Sequence, residues 1–416
     1  MDGTLTVAYI LEIHPTLSQT FLEREIAELI AQGLPVKVYS LLRVPCQTPR
    51  NVHNKRPVDY FRWWETFGLV TALPRELRRD PILLRDGWRM LRRFRPTGCV
   101  NSLVNLWAAI FAVCRAEQFR QTEVRHIHGA WASGPATAAA ILSRLCGIPF
   151  SFAGHAYDIY EHGGDRFLDA KLRAASFVHT TTNDNVAYLR KRVPQAHILF
   201  ARNGLEQLPA DEARRRVTGP IRLLSVARLV PKKGHCHQLA ACAVLKQWRV
   251  SFEARIIGTG ELHRQLQRQI GALGLANVVT LCGGQPHAQT QESFAWADIF
   301  WHTGIIDAKG NRDGLPNVIP EAFAHRLPVI CSREPGANEA VTNEVTGLVV
   351  DVTNHTELAG AVKRLAEDET LRQRLGENGR RWVEQNYIAS DNVAILAQAF
   401  RQAASAGEHA VKAVRT

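Results

Sequence analysis

Residues 221–234 read IRLLSVARLVPKKG, an apolar run that gives way to a basic loop, and a helical pattern begins directly afterwards at His235. A short apolar run followed by a loop and a helix is typical of a strand in a parallel α/β sheet. In doubly wound sheets the loops after the strands lie at the carboxyl edge, where ligands bind. The stretch therefore predicts an α/β fold with a ligand site beside residues 227–234.

The same alternation of short apolar runs and helical patterns extends in both directions along the chain. It predicts strands at Thr4–Ile13, Val36–Ser40, His126–His128, Pro149–Ala153, Phe177–Thr181, Ile198–Ala201, Ile221–Val226, Phe252–Ile257, Val278–Cys282, Ile299–His302, Val329–Cys331 and Gly347–Val350. It predicts intervening helices that include Thr20–Ala31, Pro135–Leu145, His235–Lys246, Leu262–Leu273, Pro316–His325 and Thr356–Glu367. Parallel strands joined by crossover helices follow from this order.

The length of 416 residues exceeds what one hydrophobic core usually serves, so two domains are expected. The composition, 46% apolar and 22% charged, is that of a globular protein. The pattern lapses between residues 205 and 220, which predicts the interdomain linker. The expected domains are residues 1–204 and 221–387, with a helical segment at 388–416 for which packing back on the first domain is one arrangement.

The formal net charge of +12 predicts attraction to phosphates, whether of nucleic acid, anionic lipid or a nucleotide. Arginines alternate with large apolar residues from Lys55 to Arg125, most densely between Arg62 and Arg95, and predict a basic amphipathic helix. The eight cysteines occur singly, which favours buried reduced thiols and a cytoplasmic protein. No secretory signal is expected at the start, and Leu103–Cys114 is shorter than the about 18 apolar residues of a membrane span.

Two basic side chains in the opening stretch, Arg228 and Lys233, can converge on one anion at the sheet edge. Arginine offers a bidentate fork for phosphate and lysine a compact charge. A solvated basic loop is the alternative. After the next strand, the glycines of Gly258-Thr259-Gly260 allow close approach of a backbone to a ligand, but two glycines fall short of the dinucleotide-binding fingerprint, and a simple tight turn is the favoured alternative.

The segment from Asp313 to Ala322, DGLPNVIPEA, is the most informative in the chain. Pro316 suits the first turn of a helix, so the N–H groups of Leu315, Asn317 and Val318 are predicted to face phosphate or sugar oxygens. Asp313 and Glu321 would then contact hydroxyl groups. The alternative is an acidic residue favoured by the helix dipole, together with a surface glutamate.

In the first half, Gly154-His155-Ala156-Tyr157-Asp158 places His155 and Asp158 at the end of a strand, where a histidine is either structural or catalytic. Near the start, Ser18, Gln19 and Thr20 precede a helix, where they cap it or hold an anion. His235, Cys236 and His237 point about 100° apart on a helix, so they do not predict a zinc site.

Taken together, these motifs resemble family 4 retaining glycosyltransferases of the GT-B fold over nearly the whole chain. Arg228 to Gly234 is similar to the family's diphosphate clamp, Gly258 and Gly260 to its nucleotide loop, and Asp313 to Glu321 to its E-x7-E signature. The segment from His155 to Asp158 is similar to the family's His-Ala-x-Asp segment, and Asn203-Gly204 to its Asn-Gly turn. Residues 14–21, HPTLSQTF, resemble the exopolysaccharide branch that includes colanic-acid and amylovoran enzymes.

The resemblance implies two Rossmann-like doubly wound domains that face a central cleft, the first on the acceptor side and the second binding a nucleotide sugar. Arg228 and Lys233 would stabilise the leaving diphosphate in place of a metal, Glu321 would bind the ribose, and His155 would touch the sugar. Asp313 and the backbone segment Gly314-Leu315-Pro316-Asn317 would hold the donor sugar. The N–H donors of this segment are those of its residues other than proline. Asp313 stands where the family usually has Glu, and Ala227 where it usually has Gly.

The implied reaction is hexosyl transfer with retained configuration from a nucleotide diphosphate sugar, which is a substrate, without metal or cofactor. The partners would be this donor and a glycan or lipid-linked acceptor in polysaccharide biosynthesis, with contact to the anionic inner membrane face as an open alternative and no nucleic acid. Two other classes stay open. They are another GT-B enzyme, such as a nucleotide-sugar epimerase or a phosphorylase, and a non-catalytic basic scaffold.

Overall fold

The structure, a computed structural model, describes residues 5–14, 20–43, 57–81, 99–210 and 219–415. The chain divides into two compact units. Unit 1 comprises Met1–Gly204 with Ala389–Thr416, and unit 2 comprises Leu205–Ile388.

Unit 1 is built on a parallel sheet with the strand order β3-β2-β1-β4-β5-β6-β7. The strands are β1 (Thr6–Ile13), β2 (Val36–Leu42), β3 (Val58–Tyr60), β4 (Val124–Gly129), β5 (Phe150–Ala153), β6 (Phe177–Thr180) and β7 (Ile198–Phe200). The helices are α1 (Thr20–Ala31), α2 (Leu69–Arg79), α3 (Cys99–Gln121), α4 (Gly134–Cys146), α5 (Tyr157–Tyr160), α6 (Leu168–Ala174), α7 (Asn183–Arg192) and α15 (Ala389–Arg415). The direction of strand addition reverses between β1 and β4, which opens a crevice at their carboxyl ends.

Unit 2 repeats this plan with the parallel order β10-β9-β8-β11-β12-β13. The strands are β8 (Ile221–Val226), β9 (Phe252–Ile257), β10 (Val279–Gly283), β11 (Ile299–His302), β12 (Val329–Ser332) and β13 (Gly347–Val350). The helices are α8 (His235–Gln247), α9 (His263–Ala272), α10 (His287–Trp296), α11 (Val318–Ala324), α12 (Pro335–Asn338), α13 (His355–Glu367) and α14 (Glu369–Asn386). The reversal here lies between β8 and β11.

The predicted fold class, two doubly wound α/β domains, is confirmed by these two sheets. The buried strands are rich in Ile, Val, Leu and Phe because helices cover both faces of a parallel sheet. Unit 2 accordingly carries one apolar cluster around Leu223 and Trp301 and a second around Phe300 and Ile319.

The last helix, α15, belongs to unit 1. Phe400 is fully buried there, with its ring 6.0 Å from that of Tyr9 and 5.2 Å from that of His126. Arg401 donates to the carbonyl of Gln32 at the end of α1. None of the helices within the described residues is long and apolar enough to cross a membrane.

The stretch from Lys55 to Arg125 is not the single basic amphipathic helix that its pattern predicts. In its described part, β3, a 3-10 turn at Trp63–Gly68, α2 and α3 follow one another. Residues 58–60 form a strand because they extend the sheet beside β2, and Asp59 there is held by Arg115 of α3 at 3.0 Å. Residues 82–98 of the predicted helix lie outside the described residues.

One smaller prediction also differs from the structure. Helix α11 begins at Val318 rather than at Pro316, since the carbonyl of Pro316 accepts the N–H of Ile319 in a turn just before the helix. Within the predicted linker, Leu205 is buried in unit 2 and pairs with Ile388.

Candidate functional site

The candidate site of unit 2 lies at the carboxyl ends of β8 and β11, where the order of the sheet reverses. A 3-10 turn at Pro231–Lys233 follows β8, and Gly234 adopts a left-handed conformation with φ of +64° before α8 begins. A Cβ atom on Gly234 would stand 2.0 Å from the carbonyl oxygen of Thr303, just after β11. Glycine therefore brings the two loops into direct contact.

The carboxylate of Asp313, in the loop after β11, contacts two lysines from the loop after β8. Asp313 Oδ2 lies 2.5 Å from Lys233 Nζ, and Asp313 Oδ1 lies 3.1 Å from Lys232 Nζ. The Nε2 atom of His302, the last residue of β11, lies 3.4 Å from Asp313 Oδ2. In the described part of the chain, Asp313 is the one carboxylate that contacts these lysines.

Burial and these contacts shift the pKa values of Asp313 and Lys233. Burial alone would raise the pKa of Asp313, but Lys233, His302 and Lys232 hold it well below its usual value. Burial lowers the pKa of Lys233, and the charges of Lys232 and Arg228 lower it further against the opposing effect of Asp313. The cluster therefore carries excess positive charge, which a bound diphosphate would neutralise.

Arg228 is exposed, whereas its backbone is fixed. Its carbonyl oxygen lies 3.1 Å from Nε2 of buried His235, whose Nδ1 lies 2.9 Å from Gln238 Oε1. The guanidinium is thus presented to solvent from a rigid loop, close enough to Lys233 to lower its pKa. Convergence of Arg228 and Lys233 on one anion stays a prediction.

Gly258 and Gly260, in the loop after β9, lie directly against the backbone of the loop after β8. A Cβ atom on Gly258, whose φ is +149°, would lie 1.9 Å from the carbonyl oxygen of Ala227, and one on Gly260 would lie 2.3 Å from that of Leu229. The N–H of Leu229 donates to the carbonyl of Thr259. The close approach seen here is therefore between two loops of the protein, and contact of Gly258 and Gly260 with a nucleotide stays a prediction.

The residues after Asp313 have structural side-chain contacts of their own. Leu315 is buried in the core of unit 2, and Asn317 accepts a hydrogen bond of 2.6 Å from the Tyr387 hydroxyl. Gly314 lies with its carbonyl against Gly336, where a Cβ atom would approach to 2.3 Å. Pro316 precedes α11, and Glu321 is the fourth residue of that helix.

In unit 1, Asp158 holds the loop that carries His155. The carboxylate of Asp158 accepts the backbone N–H groups of Ala132 at 2.9 Å, His155 at 3.2 Å and Ala156 at 2.8 Å. It therefore joins the loop after β4 to the loop after β5. Asp158 positions these loops by accepting three N–H groups.

His155 packs beside aromatic rings, and one of its ring nitrogens has no hydrogen-bond partner among the described residues. Its ring lies 5.9 Å from that of Trp131 and 5.3 Å from that of Phe21. Its Nε2 atom is buried and has no hydrogen-bond partner among the described residues. Burial lowers the pKa of His155 to about 4, although Asp158 opposes the shift, so the imidazole is neutral at pH 7.

Ser18 and Gln19 lie outside the described residues, and Thr20 is described only as the first residue of α1. The cysteine and histidines at 235–237 have separate surroundings: His235 is buried beside Arg228, Cys236 is exposed, and His237 faces His355 at 3.1 Å.

Sequence reasoning missed Lys232 and His302. Lys232 is buried, and its Nζ also lies 3.2 Å from Asn311 Oδ1, so it ties the loop after β11 to the loop after β8. His302 ends the strand next to β8 in the sheet. The rule that ligand sites lie where strand order reverses was the available signal for both residues.

Part of the chain matches known proteins in sequence. Residues 209–382 match the sequence model of the family described as Glycosyl transferases group 1. The amylovoran biosynthesis glycosyltransferase AmsK of Erwinia amylovora is 37% identical over 150 residues, which are 36% of this chain and 37% of the relative. The putative colanic acid biosynthesis glycosyltransferase WcaL of Escherichia coli K12 is 31% identical over 151 residues, again 36% and 37% of the two chains. The matched part spans little more than a third of the length of these relatives.

Solved structures match over almost the whole chain. Sucrose-phosphate synthase from Thermosynechococcus elongatus superposes with a TM-score of 0.74 at 18% identity, covering 97% of this chain and 100% of that one. Anabaena HepE, solved in complex with UDP and glucose, gives a TM-score of 0.69 at 17% identity, covering 95% and 98%. The chain therefore has the GT-B fold.

Proposed function

We propose that the chain is a metal-independent, retaining glycosyltransferase that moves a sugar from a nucleotide diphosphate sugar to a glycan or lipid-linked glycan. The observation that carries this proposal is the cationic cluster of Lys232 and Lys233 around Asp313, with Arg228 close enough to Lys233 to lower its pKa. It lies at the strand reversal of a doubly wound sheet, within the residues that match the glycosyltransferase family model. The relatives named for amylovoran and colanic acid synthesis support a role in exopolysaccharide synthesis.

The cluster suits a leaving diphosphate. When the bond between the sugar and the phosphate breaks, negative charge develops on the departing oxygen, and preorganised cations stabilise it without reorganisation of solvent. Lys233 supplies a partly buried ammonium and Arg228 an exposed guanidinium fork, so two cations of different geometry would face one anion. Retained configuration follows if the departing phosphate takes the proton of the acceptor hydroxyl on the same face.

The remaining assignments concern the two substrates. Asp313 binds hydroxyl groups of the donor sugar, Glu321 the ribose, and the open Nε2 of His155 a hydroxyl near the reacting carbon. Gly258 and Gly260 border the nucleotide, and the segment 314–317 borders the sugar. Ser18, Gln19 and Thr20 stay assigned to the acceptor side.

The first test measures donor binding and its dependence on metal. Thermal unfolding is followed with UDP-, GDP- and ADP-sugars, each in EDTA and in Mg²⁺. We expect one nucleotide class to raise the unfolding temperature equally in both, because a ligand at 100 times its Kd stabilises the folded state by about 2.7 kcal/mol. Binding that EDTA abolishes and Mg²⁺ restores would contradict the clamp.

Product analysis then separates the enzyme classes. A transferase releases nucleotide diphosphate in proportion to added acceptor, whereas an epimerase converts the donor with no acceptor present and a phosphorylase requires inorganic phosphate. A basic scaffold binds none of the nucleotide sugars. The relatives named as glycosyltransferases favour the first outcome.

We further propose that the protein works in the cytoplasm, at the inner face of the membrane. Trp63, Trp64, Phe67 and Val70 are 65%, 48%, 69% and 76% exposed, and exposed Arg62 lies with its guanidinium 5.2 Å from the ring of Trp64. Aromatic rings beside arginine suit the headgroup region of an anionic bilayer, where each basic residue contributes about 1 kcal/mol. A solvated protein face is the alternative.

Flotation with vesicles of phosphatidylglycerol, compared with phosphatidylcholine, tests the membrane proposal. We expect salt-sensitive binding to the anionic vesicles only, and loss of that binding when Trp63, Trp64 and Phe67 are replaced together by Ala. Trp248→Ala removes a 38% exposed ring from unit 2 and serves as the control. Wild-type protein that stays unbound at low salt would favour the solvated face.

A further inference from the structure

Unit 1 has a polar cluster at its own strand reversal. Glu12 lies near the end of β1, Ser133 follows β4, and Tyr157 begins α5 after β5. The Oε2 atom of Glu12 accepts hydrogen bonds from Ser133 Oγ at 3.2 Å and from the Tyr157 hydroxyl at 3.5 Å. The three side chains thus span the crevice between β1 and β4, the place where doubly wound sheets bind ligands.

The backbone beneath the cluster is fixed by ionic and hydrogen-bond contacts. Asp158 binds the N–H of Ala132, next to Ser133, and the N–H of Ala156, next to Tyr157. Lys171, itself buried and paired with Asp165 at 2.5 Å, donates to the carbonyl of Ser133 at 3.3 Å. The backbone beside Ser133 and Tyr157 is therefore fixed by Asp158, and that of Ser133 also by Lys171.

The Glu12 carboxylate has hydrogen-bonding capacity to spare. Burial raises the pKa of Glu12, and the hydroxyl groups of Ser133 and Tyr157 oppose the shift. None of the ion pairs formed within the described residues involves Glu12. A carboxylate offers about four lone-pair directions, and two hydroxyl donors leave the others for a ligand.

Tyr157 adds an apolar surface beside this carboxylate. Its hydroxyl donates to Glu12, and the residue as a whole is 38% exposed. Two residues earlier, the Nε2 atom of His155 is buried and has no hydrogen-bond partner among the described residues, so it is one more polar atom beside the cluster. An aromatic face beside a carboxylate and an imidazole matches a pyranose, which presents C–H groups on one face and hydroxyl groups at its edge.

We infer that Glu12, Ser133 and Tyr157 form a subsite that binds a neutral pyranose unit of the acceptor. The Glu12 carboxylate accepts two sugar hydroxyls, and the Tyr157 ring covers the C–H face of the sugar. The identification of this sugar as the acceptor rests on the proposed function. The sugar site itself rests only on the contacts among Glu12, Ser133 and Tyr157.

Saturation-transfer NMR of the full chain tests the subsite with methyl α-glycosides of glucose, galactose, mannose and glucuronic acid. We expect at least one neutral glycoside to bind and the glucuronide to bind more weakly, because two carboxylates would face each other. Glu12→Gln should weaken the neutral glycoside about tenfold, since a charge-assisted hydrogen bond is lost, and should reduce discrimination against the glucuronide. Tyr157→Ala should weaken binding more than Tyr157→Phe, which keeps the ring.

Glu161→Gln is the matched control, because it removes one negative charge from the turn at Glu161–Gly163 and leaves the three side chains in place. Absence of binding of every glycoside to the wild-type chain, or equal binding by wild type, Glu12→Gln and Tyr157→Ala, overturns the subsite. Binding that follows the expected pattern in a chain that releases no nucleotide from any donor would overturn the proposed function alone.

Discussion

Lys233→Ala is expected to lower kcat/KM by about a hundredfold to a thousandfold, the usual effect of removing one preorganised group that stabilises charge in a transition state. The side chain of Lys233 is only 13% exposed, and the charges of Lys232 and Arg228 act on it, so its own charge acts on the departing diphosphate with reduced screening by water. The fold should survive, because Asp313 keeps its contacts with Lys232 and His302. Loss of turnover without loss of stability is therefore the signature of the clamp.

Single-turnover kinetics with saturating donor measure the chemical step directly. Lys233→Arg keeps the positive charge with a larger head group and should recover part of the rate. Lys363→Ala removes an exposed ammonium from α13, next to Glu367, and should leave turnover unchanged. A rate for Lys233→Ala within twofold of wild type would show that Lys233 serves only to hold Asp313.

The sheets could be predicted because each strand is a local apolar run that helices cover on both faces. Strands at Ile221–Val226, Phe252–Ile257, Ile299–His302 and Gly347–Val350 have the bounds that their sequences predict. The three-residue strand β3 escaped prediction because Val58, Asp59 and Tyr60 are only half-buried and form a strand through pairing with β2. Short edge strands depend on their neighbours more than on their own pattern.

The candidate site was predictable in its loops and unpredictable in its contacts. Arg228 and Lys233 follow from the rule that loops after parallel strands face a ligand. The contact of Lys232 and Lys233 with Asp313 joins residues about 80 positions apart and depends on two loops that meet at Gly234. The sequence pattern left both a ligand contact and a tight turn open for Gly258 and Gly260, and the structure adds that their missing side chains make room for the carbonyls of Ala227 and Leu229.

Asp313→Asn is expected to lower turnover by about tenfold to a hundredfold, because each charge-assisted hydrogen bond to a sugar hydroxyl contributes about 1.5–3 kcal/mol. The structure adds a second expected effect. Asn would leave Lys232 and Lys233 close together without their carboxylate, and breaking a buried pair in this way costs about 3 kcal/mol of stability. Stability and turnover should therefore fall together.

The loss of folding stability at acid pH also depends on the ionisation of Asp313. The pKa of Asp313 is depressed in the folded chain, so its contribution to stability is present above its unfolded value of 3.8 and is lost as the pH falls below it. Asp313→Asn removes this contribution at every pH. The variant should lose less stability on acidification than the wild-type chain, as denaturant unfolding at successive pH values would show.

A double variant separates the two roles of Asp313. Lys232→Met in the Asp313→Asn background removes one of the two uncompensated ammonium groups and should restore much of the stability. If Asp313 holds the sugar, turnover stays low in the double variant.

Asp313→Glu keeps the charge and should be tolerated if the loop accommodates one methylene. Glu321→Gln should raise the KM for the donor at nearly unchanged kcat, because a ribose contact is the same in ground state and transition state. Full turnover in the stabilised double variant, with a loss of kcat in Glu321→Gln, would reverse these assignments and leave Asp313 as the counter-ion that keeps the two lysines in place.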